Sequence, residues 1–196
     1  VKADLAVAVA AQVAVGLSDG LGMPVEFASF PDIELAFESL AREPSGIELL
    51  NVRHTHGKTL ATVFVPDGKL ELFERRISAY LEEKKDSIGR ARDSQRLIDA
   101  IEAIRTATLK ALWTDDADQL PESEDESIWW EVWLPKRKNQ RLQIDRFREL
   151  ADLQGFEVAP GEVTFPERSV LLLYASAADL KRSTLTLNSI AELRRA

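Results

Sequence analysis

The 196-residue sequence has no cysteine, only two histidines and a single methionine. Without cysteine there is no disulfide, no thiolate metal ligand and no cysteine nucleophile. His54 and His56 are the whole supply of imidazole bases for chemistry near neutral pH. No run of about eighteen apolar residues occurs, which excludes a membrane-spanning helix of ordinary length. Positive charge is also short: 25 basic residues stand against 33 acidic ones, for a formal net charge of -8 and a pI near 4.9. Phosphate binding needs a basic face, so nucleic acid is not the expected partner.

Hydrophobic residues make up 45% and charged residues 30%, enough apolar material to bury a core. The length allows one ordinary domain or two small ones. The chain opens at Val1 rather than methionine, so its natural start is expected upstream. Residues 1–15 are rich in alanine and valine, but Lys2, Asp4 and Gln12 interrupt them, and Leu5, Val9 and Val13 recur every four residues. That spacing predicts a packed surface helix ending near Gly16 to Gly20, with a targeting remnant as the other reading. Nothing else points to export, and the cytoplasm is the expected compartment.

From Met23 the pattern reads strand, helix, strand, strand, helix. Val25 and Phe27 start a strand, Pro31-Asp32 start a helix with Ile33, Phe37 and Leu40 inward, and Pro44-Ser45-Gly46 stop it. Residues 47–54 and 58–65 form a strand pair joined through Thr55-His56-Gly57. Asp67 caps a helix carrying Leu70, Phe73, Ile77 and Tyr80 or Leu81. After a polar connector at 86–92, Leu97, Ile101, Ile104, Thr108 and Leu112 predict a longer helix from Ser94 to Trp113. Seven acids and no base follow between Asp115 and Glu126, which reads as a solvated linker.

The order then returns. Residues 128–134 are a strand, and Asn139 to Gln154 a helix with Ile144, Phe147, Leu150 and Ala151 inward, ended by Gly155. A strand pair is expected at 156–165 and 169–175, then a helix capped by Ser176 with Asp179 and carrying Leu180, Leu187 and Ile190, and a last strand within 191–196. Gly46-Ile47-Glu48 and Gly155-Phe156-Glu157 lie 109 positions apart, the mark of an internal duplication. The expected fold class is α+β: two tandem ferredoxin-like modules, βαββα then βαββαβ, with helices on one face of each antiparallel sheet. The expected divisions are an N-terminal helix and linker (1–22), a first module with an extra helix (23–114), the acidic linker (115–127) and a second module (128–196).

Chemistry-bearing candidates are few. His54 and His56 sit at i and i+2, on one face of a strand end, with no third ligand in view. No serine stands in a nucleophile-elbow pattern. Gly57-Lys58-Thr59 matches the end of a phosphate loop, but the required earlier glycine is missing from Asn51-Val52-Arg53. The acidic run lacks the glycine turn of a calcium loop. No catalytic, metal or cofactor-binding residue is therefore assigned. Trp129, Trp130 and Trp133 beside Lys136, Arg137, Lys138 and Arg141 form the one patch suited to a single-stranded nucleic acid, although 169–175 lacks the Lys/Arg-Gly-aromatic signature. Strand alternation buries Ile128, Trp130, Val132 and Leu134 and leaves Trp129 and Trp133 on the open sheet face, a pattern better suited to a protein interface.

The stretches 46–53 (GIELLNVR), 61–66 (ATVFVP) with 68–70 (GKL), 97–105 (LIDAIEAIR), 112–115 (LWTD), 129–134 (WWEVWL), 165–168 (FPER) and 190–195 (IAELRR) stand out together. In combination they resemble the N-terminal region of bacterial subtilisin-like serine proteases. The resemblance implies a non-catalytic region that assists folding of, inhibits or regulates a protease domain, in cis or in trans. The triad motifs of such proteases are absent, His56-Gly57 being a dipeptide match only. By the same analogy the sheet face with Trp129 and Trp133 is the docking surface, and Leu193, Arg194, Arg195 and Ala196 form a tail directed to the protease cleft by strand addition. The competing readings are a free-standing adaptor or ligand sensor of tandem ferredoxin-like modules and, third, a single-strand binder.

Overall fold

A computed structural model describes residues 1–17, 20–33, 35, 46–71, 75, 101–137 and 139–196. The chain divides into two compact units, Val1–Ala107 and Thr108–Ala196.

The first unit contains α1 (Lys2–Ala14), β1 (Gly22–Ser29), β2 (Glu48–Thr55), β3 (Lys58–Pro66) and β4 (Ile101–Thr106). The strands form an antiparallel sheet in the order β2-β3-β1-β4. The β2–β3 hairpin turns at His56 and Gly57, with φ of 49° and 73°. Both central residues are thus left-handed, the geometry of a two-residue turn that follows the strands' twist. Turning there takes His56 out of the strand, so the two histidines do not share a strand face as the i, i+2 spacing implied. Phe27, Val25, Met23, Ala61, Val63 and Val65 alternate onto one sheet face and pack with Leu5, Ala8, Leu35 and Leu70.

Two expectations for this unit are corrected. The predicted helix from Ser94 to Trp113 is overturned at Ile101–Thr106, a strand paired with β1, and within its described part only Leu109–Leu112 is helical. The ladder slips between Ala28 and Ser29, so that Ile101 opposes Ser29 while Ala103 opposes Ala28. A β-bulge of this kind lets Ile101 and Ile104, three residues apart, both pack against the core. Their spacing imitates a helix. The first module accordingly has the fourth strand that the sequence reading left out. In α1 the buried face is Leu5, Ala8 and Gln12, whereas Val13 is 54% exposed. The Gln12 amide is drawn inward because it donates to the Gly22 carbonyl and accepts from the Gly22 N–H, each at 3.0 Å. Phe37, Leu40, Phe73, Ile77, Tyr80, Leu81, Leu97 and the connector at 86–92 lie outside the described residues.

The second unit contains α2 (Leu109–Leu112), a 3-10 turn (Ala117–Gln119), β5 (Ser127–Pro135), α3 (Gln140–Leu153), β6 (Glu157–Val158), β7 (Val163–Thr164), β8 (Arg168–Ser176), α4 (Ala177–Arg182), α5 (Thr184–Leu187) and β9 (Glu192–Arg195). Its sheet order is β6-β8-β5-β9, with β7 also on β8, and every ladder is antiparallel. With β6 and β7 counted as one interrupted strand, both sheets run 2-3-1-4 within their units, the ferredoxin-like order. The fold is α+β with two such sheets in tandem. The strand expected at 156–165 is split into β6 and β7 around Pro160-Gly161, where proline cannot donate to a ladder.

α3 starts where the Asn139 side chain accepts the Leu142 N–H at 3.1 Å. It buries Ile144, Phe147, Leu150 and Ala151 and stops at Gly155, φ 75°. Asn139→Ala is expected to cost the second unit about 1 kcal/mol, since one amide of the first turn loses its acceptor. Denaturant unfolding followed by tryptophan fluorescence checks this directly, because all four tryptophans lie between Trp113 and Trp133. At α4 the Ser176 hydroxyl accepts the Asp179 N–H and donates to the Asp179 carboxylate. That bond, then Arg182, holds the Asp179 carboxyl below its ordinary value.

The acidic segment is not where the chain divides. Trp113 belongs to the second core, and its indole N–H donates to the Asp116 carbonyl at 3.1 Å. Asp115 accepts the Arg195 N–H at 2.8 Å, and the Glu124 carbonyl accepts the Ala178 N–H at 2.8 Å. Acid-rich composition reports solvated side chains, whereas here the backbone and a few carboxylates are tied to β9 and α4. The segment belongs to the second unit.

Candidate functional site

β5 alternates about the sheet plane. Trp130, Val132 and Leu134 are buried with α3 and α4, while Trp129, Glu131 and Trp133 point to the other face. The register extends that outer face across the sheet. Trp129 opposes Tyr174, Glu131 opposes Leu172 and Trp133 opposes Val170 on β8. Beyond β8, Glu157 opposes Tyr174 and Val163 opposes Val170. On the opposite flank Glu131 opposes Arg194 and Trp133 opposes Glu192.

The rings on this face touch in pairs. Trp129 meets Tyr174 with centroids 5.2 Å apart and an interplanar angle of 47°. Trp133 stacks on Phe165 at 5.6 Å and 5°. From the β9 side the Arg194 guanidinium lies 4.4 Å from the Trp133 ring centroid. Arg194 is fixed there by Glu192 at 3.0 Å and by donating to the Thr114 hydroxyl at 3.2 Å. The Trp133 indole N–H donates to Glu131 at 3.2 Å. Phe165, Tyr174, Leu172 and Val163 are all exposed, from 37% to 56%.

Of the residues expected to dock, the fold thus brings Trp129, Trp133 and Arg194 to one face. Leu193 is fully buried in the second core on the other side of β9. Arg195 is held through its backbone by Asp115, and the Ala196 N–H donates to the Trp129 carbonyl at 3.2 Å. The thin peptide rim of β9 is also engaged: Thr114 N–H donates to the Leu193 carbonyl, and Trp113 bridges Leu193 in parallel. Residues 193–196 are therefore a sheet edge and not a free tail. Sequence reasoning missed Tyr174, Leu172, Phe165, Glu131 and Glu192. The first two were legible as the outward positions of the alternating run 168–176.

The other candidates disperse. His54 Nδ1 lies 3.3 Å from the Thr59 hydroxyl and His56 Nδ1 lies 2.9 Å from the Thr55 hydroxyl. Lys58 is paired with Glu102, and the Thr59 N–H donates to Ser29, so Gly57-Lys58-Thr59 is hairpin rather than phosphate loop. Among the described residues no group of three metal-ligating side chains occurs. No described helix is long and apolar enough to cross a membrane. Trp130 is buried, with its indole N–H on the Ala175 carbonyl at 2.9 Å. Arg141 is spent on Asp145 and Glu162, and Lys138 lies outside the described residues.

Comparison with known proteins gives little beyond the first unit. No curated protein matches the chain. Among solved structures it is similar to an unknown protein from Galdieria sulphuraria, at 10% identity and a TM-score of 0.27, covering 89% of this chain and 98% of that one. A family match covers residues 3–108, hence α1 and the whole first sheet; the aromatic face described above lies outside it. On that match, over more than half its length, the chain belongs to the Y4kK N-terminal domain family.

Proposed function

We propose that this chain is a non-catalytic protein-docking region whose client is a subtilisin-like serine protease domain, in cis or in trans, which it helps to fold, inhibits or regulates. The observation that carries docking is the aromatic face of the second unit, with Trp129, Trp133, Tyr174 and Phe165 contiguous on a sheet whose other side is filled by helices. Contiguous exposed apolar surface on a globular protein marks an interaction site, and aromatic residues are enriched where proteins meet. The choice of client rests on the sequence resemblance that begins near Val25. Because Leu193 is core and β9 is held in the sheet, we assign the contact to the sheet face and not to a cleft-directed tail. We place the module in the cytoplasm, where a cysteine-free fold loses nothing by lacking disulfides.

A free-standing adaptor of tandem ferredoxin-like units is the second reading, favoured by the repeated strand order. Mixing the purified chain with the cognate subtilisin-like catalytic domain separates the two. The expected result is a complex that alters peptidase activity or refolding yield and is weakened by Trp133→Ala. A catalytic domain that neither binds the chain nor changes its activity or refolding yield would sink the protease assignment.

A further inference from the structure

Five charged side chains occupy outward positions of this sheet: Glu131, Glu157, Arg168, Glu192 and Arg194. Arg168, at the far end of β8 from Tyr174, donates to the Glu167 carbonyl at 3.0 Å. Arg194 and Glu192 satisfy one another. Arg194 is also the register partner of Glu131, yet its guanidinium turns away to Glu192, Thr114 and the Trp133 ring. Glu131 is left with the Trp133 indole N–H, and neither it nor Glu157 meets a cation among the described residues. Both carboxylates border the Trp129–Tyr174 ring pair. Glu131 is two residues along β5 from Trp129, on the same face, and Glu157 is directly across from Tyr174.

The protein itself displays what such a grouping holds. At Trp133 a ring, a carboxylate and a hydroxyl hold a guanidinium supplied by β9. At Trp129 the same kinds of group recur, two rings and two carboxylates, with no cation over them among the described residues. An aromatic face beside carboxylates attracts ammonium and guanidinium groups by quadrupole and by charge. It repels phosphate.

We infer that the open face of the second unit binds a basic protein segment, seating a lysine or arginine side chain over Trp129 and Tyr174 between Glu131 and Glu157. This rests on the docking reading above and names the chemistry of the partner's contact. Apolar neighbours of that cation cover Leu172 and Val163, both exposed on the same face.

The test uses the full chain and its own tryptophan fluorescence, titrated with short peptides alternating leucine with lysine or arginine, and with glutamate analogues of the same peptides. The basic peptides are expected to bind, more weakly as salt is raised, and the acidic ones are not. Glu131→Gln with Glu157→Gln is expected to weaken binding about tenfold, with Trp129→Ala weakening it at least as much. These positions are partly exposed, and an unchanged unfolding midpoint verifies that the variants fold. Equal binding of acidic peptides, or binding untouched by the double glutamine variant, overturns the cationic assignment. A preference for oligothymidine over the basic peptides, or self-association that buries the face in a second copy of the chain, also overturns it. The docking reading fails separately, if the catalytic domain binds Trp133→Ala as tightly as wild type.

Discussion

Trp130→Ala is expected to cost the second unit about 3–5 kcal/mol, the range for deleting a large aromatic from a close-packed core. Trp130 is fully buried, meets Trp113 edge-on with centroids 5.7 Å apart, and donates its indole N–H to the Ala175 carbonyl at 2.9 Å. Truncation leaves a cavity between β5, β8 and α2 that the helices cannot close without breaking their own packing. Trp130→Phe keeps most of the ring and loses chiefly the hydrogen bond, for a smaller cost of about 1–2 kcal/mol. The informative control is one residue away. Trp129→Ala, on the outer face, is expected to cost no more than about 1 kcal/mol, since only the contact with Tyr174 and partial burial are lost. Chemical denaturation followed by fluorescence of the remaining tryptophans gives all three values. Equal losses at 129 and 130 would mean that both faces of β5 are covered, and the docking face would not exist.

That contrast rests on a feature plain in the sequence. The alternation in residues 128–134 selects which tryptophans go inward, and the Asn139 and Gly155 boundaries of α3 were equally visible because capping chemistry is local. The repeat was legible too, since Gly46 and Gly155 occupy matching places ahead of β2 and β6 with φ of 72° and 75°. What escaped was non-local. Ile101 and Ile104 reach the core from a bulged strand, so their spacing mimicked a helical face until their partner strand was known. The segment between the third and fourth strands is also far longer in the first unit than in the second, which hid the equivalence of β4 and β9. Composition alone misplaced the unit boundary, because it is blind to backbone hydrogen bonds such as that from Ala178 to Glu124. At the candidate site, Trp129 and Trp133 were found from one strand. Tyr174, Phe165 and Glu157 required the register of its neighbours.

The first unit offers the second large effect, at a charge its sequence does not advertise. Glu26 lies on the central strand β1, buried at every residue, and its side chain is 3% exposed. It accepts from Arg53 on β2 and from Arg105 on β4, the latter through Nε at 2.6 Å. Arg53 is itself largely buried, at 18% exposure, and burial pulls its guanidinium below the ordinary value while Glu26 opposes the shift. A guanidinium does not deprotonate in a protein, so it depends on that carboxylate. Glu26→Ala is expected to cost about 3–5 kcal/mol, because it strands a desolvated cation in the sheet. Arg105 is 62% exposed and regains water when Glu26 is lost, so Arg105→Ala is expected to cost less than about 1 kcal/mol. The pairing of Glu26 with Arg53 is isolated by a double substitution to methionine. Removing both charges together is expected to cost less than either removal alone, since no unpaired charge remains. Hydrogen exchange of the β1 and β3 amides reads the first unit, which contains no tryptophan. A Glu26→Ala protein with unchanged β1 protection would show that the two arginines do not need their carboxylate, and the cluster would then have no part in holding β2 and β4 to β1.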